Sequence, residues 1–247
     1  MKIKVKLAIL GIVPFELNTK SLIDWKSELF EVDKIIDRYS INQNSDKADW
    51  EYSDENIEKQ LPDNFNGNIF FAITNIPLED NYYSRRLSNN RICITFCEMA
   101  KFLKNENIPI ENLILRLFYA YSLAYLSHDK NLPSNIEFRS FTHDETKGCL
   151  FDMNGIKEEV IFSTNKPIIC STCVEKLKIH KVPENLIHHS QKEIEKINKT
   201  LYYRLFDFIK KYPLLSLLIS ALFAIILGVI GSLIASFIWE KLTVHTI

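Results

Sequence analysis

Between Pro213 and Trp239 the chain carries no Asp, Glu, Lys, Arg or His, a run of 27 residues. As an α-helix such a run is about 40 Å long, and the hydrocarbon core of a bilayer is about 30 Å thick. A soluble core helix seldom lacks every charge over that length, so the run predicts a transmembrane helix at 213–239. Tyr212 and Trp239 stand at its two ends, where aromatic rings favour the headgroup level. All 30 basic and 31 acidic side chains lie outside it and leave enough polarity for one globular domain. A net charge of −1 gives no basic excess for coating nucleic acid, and 47% apolar content excludes a disordered chain.

Orientation follows from the flanks. Lys196, Lys199, Arg204, Lys210 and Lys211 precede the run, whereas Lys241 alone follows it. The positive-inside rule then places residues 1–212 in the cytoplasm and the short tail 240–247 across the membrane, a single-pass, tail-anchored arrangement. Ser216, Ser220, Ala224, Gly228, Ser232 and Ser236 recur every fourth residue. Such a stripe of small residues lets two helix backbones approach closely in lipid, which predicts a homo-oligomer, in its simplest form a homodimer. At the other end, Lys2, Lys4 and Lys6 precede only about eight apolar residues with no small-residue cleavage site. The alternation there reads as a strand and not as a signal peptide.

The polar part alternates strand and helix patterns, which predicts a mixed α/β or α+β domain. Residues 2–14 read as a strand ended by Pro14. Residues 19–38 read as a helix with Leu22, Ile23, Trp25, Leu29, Phe30, Val32 and Ile35 on its apolar face. Residues 40–67 read as loop with a short helix near 54–60, 68–75 as a buried strand, 76–90 as a polar loop, and 91–96 as a strand running into a helix at 97–105. Residues 110–126 form a strong helix after Pro109, with Leu113, Leu117, Tyr121 and Ala124 as a packing face. Residues 183–212 read as one long amphipathic connector with Ile187, Ile194, Ile197, Leu201, Leu205 and Phe208 at near-heptad spacing, which either pairs as a coiled coil or packs on the domain.

The chemistry concentrates in 143–182. Cys170 and Cys173 form a CxxC that opens a helix-like stretch, Cys149 lies 20 intervening residues earlier, and His143 five before that. Asn154-Gly155 is a preferred two-residue turn, which predicts a hairpin between Cys149 and the CxxC. Three thiolates and one imidazole satisfy tetrahedral zinc at all four corners. The expected ligands are His143, Cys149, Cys170 and Cys173, with His180 as the alternative to His143. An unmetallated thiol cluster and a redox CxxC are the competing readings. Cysteine usage, five in all, otherwise suits a reducing compartment, with Cys93 and Cys97 as core thiols.

The segment His143-x5-Cys149-LFDM through Ile169-CSTCVEKL resembles the tail of the archaemetzincins, zincin-fold metallopeptidases in which cysteines after the active-site helix bind a structural zinc. The resemblance covers roughly residues 1–180, in the order strand, helix, strands, helix, zinc segment, and His143 stands where the family has its first cysteine. It implies a zincin-like core at 1–142, a zinc-binding module at 143–182 and a structural zinc. It does not carry over the catalytic metal. The family's active-site helix holds HExxH, and 110–126 contains no histidine. Metal-assisted hydrolysis needs two such histidines and a glutamate.

The remaining candidates are weaker. His128 follows the helix end, and His188 and His189 lie on a solvated helix face. In the loop 75–90, Tyr82, Tyr83, Arg85 and Arg86 are residue types enriched at recognition sites, set against the plainer reading of a loop packed by its own aromatics. No phosphate loop or catalytic triad is apparent. The chain thus reads as a membrane-tethered, non-catalytic zincin-like interaction or sensing protein. A bacterial defence or stress system is one setting, and the partner is an unspecified protein or small molecule, not nucleic acid. The alternatives are a metallopeptidase with ligands drawn from His128, His143, Glu145 and His180, and an oligomerising membrane-perturbing effector.

Overall fold

The strand β1 (Ile3–Leu10) is buried at all but one of its eight positions, as a strand covered on both faces must be. Four parallel partners and one antiparallel edge complete a six-stranded sheet in the order β2 (Phe30–Val32), β1, β4 (Ile69–Thr74), β6 (Arg91–Thr95), β5 (Ser84–Leu87). β3 (Asp37–Tyr39) also pairs with β1, continuing along the edge where β2 stops. Only β5 runs antiparallel, against β6. The structure, a computed structural model, describes residues 2–133 and 141–244, with side chains to 240.

The sheet separates two cores. On one face Leu10, Phe70, Ala72 and Cys93 pack against Ile57 and Leu61, beside α2 (Asp54–Glu58). On the other, Val5, Leu7, Phe71, Ile73 and Ile94 meet the larger core, built on α4 (Ile110–Ser127) with α1 (Thr19–Ile23) and α3 (Met99–Asn105). Fifteen of the 18 residues of α4 are buried, including Asn112 and Arg116. The chain continues through α5 (Val160–Thr164), α6 (Ser171–Ile179) and α7 (Glu184–Ile194). Residues Met1–Lys199 form one unit, in which 143–182 shares the core of the sheet, and Thr200–Ile247 form a second. The second unit holds α8 (Leu201–Lys211) and α9 (Pro213–Val244). From Pro213 to Glu240, α9 is long and apolar enough to cross a membrane, and its most apolar stretch is not buried against the chain. Residues 134–140 of the expected core and 245–247 of the expected tail lie outside the described residues.

Four expected elements differ. The helix expected over 19–38 stops at Ile23, where Asp24 caps it. Phe30 and Val32 then pair with Ile3 and Val5 as β2, leaving Ile35 exposed. Leu29, Phe30 and Val32 fit either period, and the unfilled edge of β1 selects the strand, because unpaired backbone groups there are costly. The loop expected over 76–90 contains β5. The hairpin between Cys149 and the CxxC is absent: Lys157–Glu159 form a 3-10 turn that runs into α5. Asn154 does adopt the positive φ of a turn, but Val160, Ser163 and Thr164 are buried at helical spacing, and both hydroxyls bond back to the Val160 carbonyl. The single connector helix is two helices broken at 195–200. Ile197 is buried there, its carbonyl accepts from the Lys166 N–H at 2.7 Å, and Asn165 accepts from the Lys199 N–H at 3.1 Å.

Candidate metal centre

Three short extended pieces bring the metal-ligating side chains together. His143 bridges to Asp152, and Cys149 bridges to Ile168. The Leu150 N–H donates to the Ile168 carbonyl at 2.8 Å, and the Ile168 N–H donates to Gly148 at 3.0 Å. Cys170 then caps α6 and Cys173 sits in its first turn, where the positive end of the helix dipole favours thiolates. The resulting ligand atoms of His143, Cys149, Cys170 and Cys173 all lie within 4.8 Å of one another. The Sγ atoms of Cys149 and Cys173 are 3.7 Å apart, and His143 Nε2 is 3.1 Å from Cys173 Sγ and 3.4 Å from Cys170 Sγ.

Two of these separations, 3.7 Å between sulfurs and 3.4 Å from His143 to Cys170, match a tetrahedral zinc site. Bonds of about 2.3 Å to sulfur and about 2.0 Å to nitrogen, at tetrahedral angles, put S···S near ~3.8 Å and N···S near ~3.5 Å. The donor set, three sulfurs and an imidazole, is also what zinc selects. Hydrogen bonding with Cys173 pulls the Cys149 thiol down to about 5 despite its burial. The same bond, together with burial, pushes Cys173 up. His143 Nδ1 is buried with no partner among the described residues, so its ring is oriented by packing and not by a second acceptor. The cluster is compatible with a structural zinc.

Helix α4 supplies the frame. Asn112 and Arg116, one turn apart on one face, both reach the ligand segment. The Asn112 amide donates to the Thr164 carbonyl at 2.9 Å. Arg116 Nη2 donates to the Leu150 carbonyl at 3.0 Å, one residue past Cys149, and Nη1 donates to Tyr83 OH at 2.8 Å. Asn154 also donates to Tyr83 OH, at 3.2 Å. Gly148 turns the chain into Cys149 with φ +89, and a Cβ there would lie 3.1 Å from the Phe162 carbonyl oxygen. None of these supports is evident from ligand spacing. A glycine next to a ligand cysteine was the available signal for Gly148, and Arg116 offered none.

His180 is outside the cluster. Its ring stacks on His128 at 5.4 Å, and both meet Phe141. Glu145 is exposed. Among the described residues, His128, Glu145 and His180 do not join His143 in a metal-holding group. In the expected recognition loop, Tyr83 faces Arg116 and Arg85 pairs with Asp54 through bonds of 2.7 and 2.6 Å. Tyr82 is exposed beneath the Arg85 guanidinium, and Arg86 follows on β5. His188 and His189 are exposed on α7. Cys93 is buried, which pushes its thiol up, and Cys97 is raised by partial burial. The stripe from Ser216 to Ser236 lies on exposed α9. All five cysteines are free thiols.

No family model matches the chain, and no curated protein matches it. Among solved structures, it is similar to an archaemetzincin from Methanopyrus kandleri. The match has 15% identity and a TM-score of 0.44, and covers 73% of this chain and 96% of that one.

Proposed function

We propose that this chain is a membrane-anchored, non-catalytic zincin-like protein that acts in interaction or sensing, with residues 1–212 on the cytoplasmic side. One observation carries the reading: four metal-ligating atoms, three of them thiol sulfurs, close on one point within 4.8 Å. An ion held at four protein corners keeps no open position for a water, and metal-assisted hydrolysis depends on that position. Zinc would be held by His143, Cys149, Cys170 and Cys173, and would supply rigidity to 143–182. The face of α4 supports the same reading, because Asn112 and Arg116 hold backbone carbonyls while Leu113, Leu117 and Ala124 are buried in packing. The uncharged helix α9 serves as anchor, and its small-residue stripe pairs two copies.

Metal analysis of the full chain in detergent tests the proposal. One zinc per chain is expected, lost in Cys170→Ser/Cys173→Ser. A second, exchangeable metal accompanied by peptide hydrolysis would refute the non-catalytic assignment.

A further inference from the structure

Helix α8 segregates its chemistry by face. At about 100° per residue, Phe208, Leu201, Leu205, Ile209, Tyr202 and Phe206 fill one continuous arc of about 160°. Lys210, Tyr203, Asp207, Lys211 and Arg204 fill the remainder. All six residues of the apolar arc are exposed. A two-stranded coiled-coil seam is narrower than this arc, so pairing with one similar helix would leave much of it in water.

We propose that α8 lies in the plane of the membrane–water interface, apolar arc toward the acyl chains, with Arg204, Lys210 and Lys211 against anionic lipid headgroups. The inference rests on α9 being the membrane anchor. Continuity supports it: only Tyr212 separates α8 from Pro213, so α8 is tethered where α9 would enter the bilayer. Tyr212 has φ −131 and ψ 65, outside the helical region, so α8 is not an extension of the α9 axis. Charge supports it as well. Three cations against Asp207 give the polar arc a net positive charge, the sign that anionic headgroups attract. Arg204 and Lys210 border the apolar arc on its two sides, and Lys210 Nζ sits 4.5 Å from the Phe206 ring centroid. That placement lets the side-chain stems cover apolar surface while the charges reach headgroups. Strong segregation, aromatic and leucine residues on one face and Lys/Arg on the other, is the pattern of interfacial helices. An apolar groove of about 470 Å³ runs between the two helices, lined by Leu205, Phe208, Ile209, Pro213, Ser216 and Ser220. In a bilayer, acyl chains fill such a groove.

The test uses the full chain reconstituted in phosphatidylcholine vesicles, with or without one quarter phosphatidylglycerol. Trp239→Phe is the parent, whose remaining Trp25 and Trp50 emission is subtracted, and Leu205→Trp, Phe208→Trp or Asp207→Trp is added to it. Lipids brominated on the acyl chains are expected to quench fluorescence at 205 and 208 at least twofold more than at 207. Arg204→Gln/Lys210→Gln/Lys211→Gln is expected to remove the extra quenching that phosphatidylglycerol brings. Equal quenching at the three positions, with α9 still resistant to alkaline carbonate, overturns the interfacial helix and leaves the anchor intact. Residue 205 crosslinking to its counterpart in a second copy while shielded from brominated lipid overturns it too. Extraction of the chain by carbonate overturns the anchor and this inference together.

Discussion

Replacing Arg116 separates the frame from the metal it steadies. The guanidinium is buried, its Nε has no partner, and it makes no ion pair among the described residues. It holds two good hydrogen bonds, to Tyr83 OH at 2.8 Å and to the Leu150 carbonyl at 3.0 Å, and its 3.5 Å contact with the Asp152 carbonyl is at the limit of bonding. Tyr83 keeps the Asn154 amide when Arg116 is lost, so the main orphan is the Leu150 carbonyl, at about 1–3 kcal/mol. Arg116→Met keeps most of the stem's volume and removes a buried cation whose desolvation is itself costly, so the net loss is about 1–2 kcal/mol. Arg116→Ala adds a cavity and is expected to lose about 2 kcal/mol more. For a unit of this size each kcal/mol lowers Tm by about 2–4 °C, which thermal melts resolve. The sharper readout is zinc. Leu150 follows Cys149 directly, so freeing its carbonyl loosens a ligand, and supports of this kind alter metal affinity about 10–100-fold. Zinc release to a chromogenic chelator should therefore accelerate by that order in Arg116→Met as well as in Arg116→Ala. If Arg116→Met melts lower yet releases zinc at the wild-type rate, the frame argument is wrong and Arg116 is only a packing residue.

Three further perturbations are independent of that one. Gly148→Ala forces a side chain into φ +89 and against the Phe162 carbonyl, at a cost of about 1–3 kcal/mol, and should lower zinc retention in metal analysis; unchanged melting and zinc content would show that the turn relaxes freely. Burial, then the hydrogen bond to Glu193, hold the Tyr119 phenol well above its ordinary value near 10. The folded chain keeps a proton that the unfolded chain releases, so this contribution is complete below about pH 10 and falls as pH rises further. Urea midpoints of Tyr119→Phe should lack that part of the alkaline decline, and parallel profiles would remove Tyr119 as its source. A Cβ at Gly228 meets nothing within 4 Å among the described residues, so Gly228→Leu should leave folding unchanged and weaken association in a membrane two-hybrid assay; undiminished association would reduce the stripe to composition.

The metal cluster was legible because ligand chemistry is local. Cys149, the CxxC and His143 announce themselves by residue type and spacing, and no other part of the chain is needed to propose that they meet. The path between them was not legible. Asn154-Gly155 marks a turn correctly, but a turn makes a hairpin only when the flanking residues alternate toward a partner strand. After Ile156 the buried residues fall at Val160, Ser163 and Thr164, a helical spacing hidden by β-branched side chains that also favour strands. Arg116 was invisible for a different reason. A lone arginine within an apolar helix has no local signature of purpose, and its role depends on carbonyls more than thirty positions away in the chain.

The connector shows the limit of periodicity most clearly. Ile187, Ile194, Ile197, Leu201, Leu205 and Phe208 read as one stripe on one helix, and the first three are buried in the domain core. Glu193 locks that half in place, accepting from Ser27 Oγ and Tyr119 OH at 2.7 Å each and from the Glu28 N–H at 2.8 Å. The other three are exposed, and the helix breaks between the two sets. A hydrophobic period reports that a face leaves water; it does not report which apolar phase receives it. Here the break at 195–200 divides residues received by protein from residues that protein does not receive. The polar partners at the break, Asn165 and Lys166, belong to the segment leading into the CxxC. Both bonds, one between backbone groups and one from a backbone N–H to the Asn165 side chain, lie within residues 1–199, so the break is fixed by the same segment that delivers Cys170 and Cys173.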